Sequence, residues 1–183
     1  QLQNPISTDM SHMRPDLLPG LLKAASRNQA RGFSDIALFE VGPVFGGGEP
    51  SDQDFQISGL LVGQITKKNV HSKTRNIDIF DVKADVEATL AALGAPKKVQ
   101  ITRVGNSWWH PGRHGCICLG SKTVLAVFGE VHPKVLKEID VKGPAVAFTI
   151  WPNSIPTPRN KKSTRSALDL VDLQAVERDF AFV

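Results

Sequence analysis

Ile36-Ala37-Leu38-Phe39-Glu40-Val41-Gly42-Pro43-Val44-Phe45, then Gly46-Gly47-Gly48-Glu49-Pro50-Ser51-Asp52, then Phe55-Gln56-Ile57-Ser58-Gly59-Leu60-Leu61-Val62-Gly63, is the stretch that decides the fold class. Two runs rich in apolar and β-branched residues flank a cluster of turn formers, the chemistry of a hairpin whose strands pair antiparallel. The triple glycine is a flexible hairpin tip rather than a phosphate cradle. No Lys-Ser/Thr follows it, and the context is strand to strand rather than strand to helix.

Upstream, Leu17, Leu18, Leu21, Leu22 and Ala25 recur at three- and four-residue steps, and Arg31-Gly32 is a stop signal. Pro19-Gly20 places the start of regular helix near Pro19, with the leucines before it in a turn. Downstream, residues 64–76 are polar and basic and read as a loop. Asp81 then caps a helix with Val82, Val86, Leu90 and Leu93 on its core face, ended by Gly94.

A second β region follows, with strands over 99–104, 115–119 and 123–131 and a hairpin turn at Gly120-Ser121-Lys122. His132-Pro133 opens a short helix ending near Ile139, and residues 144–151 return as an apolar strand. Antiparallel strands with helices between the hairpins describe an α+β, or mixed α/β, domain. Residues 1–155 form its core module. Pro156 and Pro158 with the cations that follow make 156–168 a linker, and 169–183 read as the start of another domain. The chain opens on Gln1 and stops inside the apolar run Phe180-Ala181-Phe182-Val183, as an excised segment would.

The 183 residues are 41% hydrophobic and 22% charged, with a formal net charge of +4, enough for one sizeable core. No apolar run approaches the roughly 18 to 20 residues of a membrane span, and no leader opens the chain. An intracellular, cytoplasmic protein with no membrane partner is expected. Cys116 and Cys118 point to the same face of a strand, a poor arrangement for a disulfide and in keeping with a reducing compartment. The basic clusters Lys67, Lys68, Lys73, Arg75 and Arg159, Lys161, Lys162, Arg165 lack the interleaved aromatics that stack bases, and solvated loops explain them first.

His110, His114, Cys116 and Cys118 put four metal-ligand types close together, but without CxxC or helical His spacing. Packed thiols and turn histidines are preferred to metal, and thiolate catalysis is weaker still. Trp108-Trp109 is a candidate stacking platform, yet neighbours on an extended segment face opposite ways, one to the core and one to the surface. Glu40 and Glu130 are candidates for buried, partnered acids.

Met13-Arg14-Pro15-Asp16-Leu17-Leu18-Pro19-Gly20-Leu21-Leu22 with Ala37 to Phe45, His110-Pro111-Gly112-Arg113, Phe128-Gly129-Glu130-Val131-His132-Pro133 and Glu177 to Val183 together resemble the β chain of bacterial phenylalanyl-tRNA synthetase. The resemblance implies a class II synthetase-like fold, an antiparallel sheet flanked by helices, with a ferredoxin-like anticodon-binding domain beginning at the C-terminal motif. It implies an α2β2 heterotetramer that charges phenylalanine tRNA using ATP and magnesium, with the synthetic site in the α chain. Active class II domains carry an arginine for the ATP α-phosphate after Gly-Pro-x-Phe. Here Phe45 is followed by Gly46, and no Arg, Lys or His occurs before Phe55. Nor does an arginine open a helix after Trp151. The resemblance therefore implies a non-catalytic module that binds no cofactor itself and supports assembly and tRNA placement. Arg14, Pro15, Leu18, Leu21 and Leu22 are its expected interface element. Glu40 is the intradomain alternative partner of Arg14, and both readings stand open. Arg159, Lys161, Lys162 and Arg165 are the candidate RNA contact. The rivals are an RNA-binding module acting through that linker, and a module that itself forms an aminoacyl-adenylate.

Overall fold

A computed structural model of the chain describes residues 2–8, 11–66, 70, 73–157, 174 and 176–182. Helix α1 (Leu18–Ala30) leads into strand β1 (Ile36–Phe45), which pairs antiparallel with β2 (Gln53–Val62) from Ile36↔Val62 to Phe45↔Gln53. The expected hairpin is present. Its tip is a clasped turn rather than an open loop. Pro50–Asp52 form a 3-10 turn, Glu49 N donates to Asp52 Oδ2 at 3.1 Å, and Gly46 N donates to Asp52 O at 2.9 Å.

Segment 64–76, expected to be loop, holds two short strands, β3 (Gln64–Thr66) and β4 (Arg75–Asn76), paired as a separate sheet. Such short strands are too brief to leave a periodic signal. Helix α2 (Ile79–Ala92) begins before the expected Asp81, because Asp78 is its N-cap. Asp78 accepts from Phe80 N and Asp81 accepts from Asp78 N, each at 2.8 Å, a reciprocal capping box. Val82, Val86 and Leu90 are buried as expected, while Leu93 forms the C-cap and lies exposed.

Strands β5 (Gln100–Thr102), β6 (Trp109–Leu119) and β7 (Thr123–Val131) precede helix α3 (Pro133–Ile139) and strand β8 (Ala145–Ile150). Strand β6 starts at Trp109 rather than Gly115. The Pro111-Gly112 pair is absorbed in a register irregularity between Trp109↔Val131 and His114↔Gly129. The sheet order is β1-β2-β8-β7-β6-β5. Strand β8 therefore joins the two hairpins, and every one of its residues is buried, which is why it reads as a continuous apolar run without alternation.

Two layers of helix clothe the sheet. Leu18, Leu21, Leu22 and Ala25 of α1 and Leu136 of α3 pack with Ile36, Leu60, Val62, Trp109 and Val131 on one face. Val82, Val86 and Leu90 of α2 pack with Ile117, Phe128, Val146, Phe148 and Ile150 on the other. Among the described residues no helix is long and apolar enough to cross a membrane. Arg159, Lys161, Lys162, Arg165, Lys67 and Lys68 lie outside the described residues, as does most of the 156–168 linker. Residues 176–182, expected to enter a strand, carry no regular secondary structure and are exposed. A strand exists only by pairing, and no neighbour pairs with this run among the described residues.

Candidate functional site

Arg14 runs along the outer hairpin. Its guanidinium pairs with Glu40, and its Nε donates to Pro43 O at 2.9 Å. The backbone is tied in parallel, since Phe45 N donates to Arg14 O at 2.9 Å. Gly42 makes this possible: a Cβ there would lie 2.6 Å from Arg14 Nη2. The intradomain partnership of Arg14 and Glu40 is thus present. Both side chains remain about one-third or more exposed, so the pair itself adds little stability.

Leu18, Leu21 and Leu22 of the expected interface element are buried in the chain's own core, while Pro15 is exposed. What that element offers outward is a groove of about 270 Å³, walled by Pro15, Pro19, Leu18 and Leu22 against Trp108 and Val135. Asp16 lines the same groove. Burial pushes its carboxyl pKa up despite the 2.8 Å hydrogen bond from Leu18 N.

The other feature leaves no trace in the sequence, because its residues read as core. On the α2 face of the sheet, cross-strand partners Ala37↔Leu61, Phe39↔Gly59, Val41↔Ile57 and Pro43↔Phe55 form an apolar surface without a charged side chain. Helix α2 covers β7 and β8 and reaches only weakly toward β2. Phe39 is therefore 77% exposed, Val41 54% and Phe55 43%. Between this surface and α2 lies a cleft of about 360 Å³ lined by Phe39, Ile57, Phe148, Asp85 and Thr89. Burial, then the nearby Asp81, raises the pKa of Asp85.

The remaining candidates resolve into structure. Cys116 and Cys118 are free, buried, and 3.3 Å apart at sulfur. Burial and then Cys118 hold the Cys116 thiol pKa up to about 12, so it is no thiolate nucleophile at neutral pH. His110 Nδ1 accepts from Gly112 N at 3.2 Å, and the His114 ring lies between the carbonyls of His110 (2.8 Å) and Arg103 (3.3 Å). Both lie within strand β6, flanking its register irregularity, rather than in the turn expected of them. Among the described residues no group of His, Cys, Asp and Glu is placed to hold a metal. Trp109 is 3% exposed and Trp108 38%, the opposed orientation expected of neighbours. Glu130 is a partnered acid, bound by Arg113 through Nε at 2.5 Å and Nη2 at 3.0 Å.

Residues 1–151 match the profile of the family described as phenylalanyl tRNA synthetase beta chain CLM domain. The chain belongs to that family. Along its full length it is 69% identical to the phenylalanine–tRNA ligase beta subunit of Ruegeria pomeroyi and 61% identical to that of Cereibacter sphaeroides. It spans 23% of the length of each, about a quarter of these relatives. Among solved structures it is similar to a pyrrolysyl tRNA synthetase from Desulfitobacterium hafniense, with a TM-score of 0.57 at 14% identity, over 77% of this chain and 46% of that one. A second structure of that enzyme gives 0.54 at 15% identity, over 76% of this chain and 47% of that one. At such identity the likeness shows the fold, a class II synthetase-like antiparallel sheet flanked by helices.

Proposed function

We propose that this domain is a non-catalytic, class II-like module of a phenylalanine–tRNA ligase beta subunit. The whole ligase attaches phenylalanine to its tRNA using ATP and magnesium. The module's part is to seat the catalytic α chain and to help place the tRNA. The observation that carries the assembly role is the uncharged apolar surface of β1 and β2, with Phe39, Val41 and Phe55 in water at the edge of the sheet. A long apolar edge strand left open is a site for association. The exposed prolines of the Arg14–Leu22 element are a second, smaller contact.

A nucleotide does not fit the hairpin. Its tip presents Glu49, Asp52 and Asp54, no cation lies between Phe45 and Phe55, and the strand face beside it is apolar. A triphosphate brought there would meet carboxylates where a fixed positive charge is needed to offset the charge of the transition state.

Assembly is the test. Full-length β chain mixed with α chain should give a tetramer by native mass measurement, and Phe39→Glu with Val41→Glu should abolish it while the β chain stays folded by circular dichroism. A double variant that assembles normally overturns the reading. So would pyrophosphate exchange by β chain alone, which would mean that the module forms an adenylate.

A further inference from the structure

Strand periodicity puts Cys116 and Cys118 on one face of β6, two residues apart. Their sulfurs lie 3.3 Å apart, and Thr102 Oγ1 on β5 stands 3.9 Å from Cys118 Sγ. Both thiols are free and buried. A single buried cysteine packs as a small hydrophobe. Two whose sulfurs approach each other are a chelating pair held at a set separation.

That separation decides what the pair can hold. A disulfide needs sulfurs at about 2.05 Å and prefers Cα atoms about 5.5 to 6 Å apart, whereas alternate residues of a strand are roughly 6.6 Å apart. One atom bridging the two sulfurs avoids this closure. On the scale of a zinc–thiolate bond, roughly 2.3 Å, a linear centre needs sulfurs about 4.6 Å apart and a tetrahedral one about 3.8 Å. Sulfurs at 3.3 Å match two such bonds meeting at about 90 degrees. Angles near a right angle belong to pyramidal trivalent centres that carry a lone pair, and arsenic(III) is the thiol-seeking member of that class.

The surroundings point the same way. Cys116 lines a groove of about 560 Å³ together with Val104, Val124, Val127 and Trp151. No carboxylate or imidazole lines it, and the ring nitrogens of His114 already face the carbonyls of His110 and Arg103. Among the described residues no third His, Cys, Asp or Glu joins the pair, so a zinc ion would lack two of its four ligands. An organoarsenical brings its third substituent with it. Its adduct with two thiols has no net charge, which suits apolar walls. Burial, then Cys118, holds the Cys116 thiol pKa up to about 12, so a bare cation must displace firmly held protons. A hydroxyl on arsenic removes them as water.

We propose that Cys116 and Cys118 form a two-thiol site for trivalent arsenicals, with arsenic bonded to both sulfurs and its third substituent in the groove beside Val127 and Trp151. Two S–H and two As–OH bonds break and two As–S bonds form. Each hydroxyl leaves as water with a thiol proton, arsenic stays trivalent, and nothing is oxidised or reduced. The site lies toward the β5 edge of the sheet, away from β1, and is independent of the assembly reading.

The complete α–β ligase tests it. The folded enzyme is equilibrated with phenylarsine oxide, desalted, then denatured and treated with N-ethylmaleimide. Cleavage after Arg113 and Lys122 yields the peptide 114–122, which carries both cysteines and separates them from every other thiol of the ligase. Its maleimide labelling should be lost after the arsenical. Cys116→Ser or Cys118→Ser leaves one thiol, and half-protection should then need roughly 100-fold more probe, because the second bond is no longer intramolecular. Excess zinc present during the equilibration should leave the protection unchanged. Urea-unfolded ligase should need more probe than the folded enzyme, a comparison that requires no variant. Full labelling of the peptide after the probe overturns the proposal, and so does equal protection in either single variant. Protection abolished by zinc would make the pair a metal site instead, and equal protection of the unfolded ligase would mean that the fold builds no site.

Discussion

At Gly129 the β6–β7 pair leaves no room for a methyl group. A Cβ there would lie 2.5 Å from His114 Cβ, 2.7 Å from its Cα and 2.8 Å from Arg113 O, and two of those atoms are backbone. No side-chain rotation relieves such a contact, so strand β6 itself would have to shift. Gly129→Ala should therefore destabilise the β chain by about 2 kcal/mol or more, seen as a lower urea midpoint. Gly20→Ala is the counterpart. A Cβ there is 3.9 Å from Glu40 Oε2, an ordinary contact, and a helical Gly→Ala change should be neutral or stabilise by up to about 1 kcal/mol. The sequence marks Gly129 and Gly42 as members of family motifs but supplies no reason for either. The reason for Gly129 is a cross-strand partner fifteen residues away, and for Gly42 it is the guanidinium of Arg14. Neither contact is local, so no window of sequence contains it.

Helix α2 shows how close a local reading comes and where it stops. The periodic core positions Val82, Val86 and Leu90 were legible, and so was an acid at the start. With Asp78 and Asp81 three residues apart, the outer one caps the helix and the inner one returns the hydrogen bond and takes the Arg75 guanidinium, 2.6 Å from its Oδ1. Asp78→Ala should cost about 1 kcal/mol. The arginine, and then the backbone N–H of Asp78, hold the Asp81 pKa below the ordinary value against a partial burial that pushes it up. A depressed carboxylate pKa contributes stability that is present above the unfolded-state value and lost as pH falls through the folded one. The urea midpoint of the native chain should thus fall more steeply below about pH 5 than that of Asp81→Asn. Asp16, whose pKa burial raises, is present in both proteins and cancels in the comparison, and so does the larger, burial part of the Asp85 shift. Parallel acid limbs would show that the Arg75 contact carries no linkage.

At the scale of the molecule, the antiparallel hairpins and the helices between them were readable, because periodicity and turn chemistry report them segment by segment. The insertion of β8 between β2 and β7 was not, and it decides which faces are covered. Phe39 and Val41 have the composition of a core strand. They stand in water only because α2 lies over the middle strands and leaves the β1 edge bare. A partner that seats on this edge must therefore act on β1 first and leave α2 little changed. In the full-length β chain, amide hydrogen exchange at residues 37–43 should slow markedly when α chain is added, by an order of magnitude or more if the edge is closed. Exchange along the solvent face of α2 should change little. Protection of α2 with β1 unaffected would place the subunit contact on the acidic face instead. The β1 edge and the solvent face of α2 are carried by different elements and report separately, which is what makes a single measurement sufficient to choose between them.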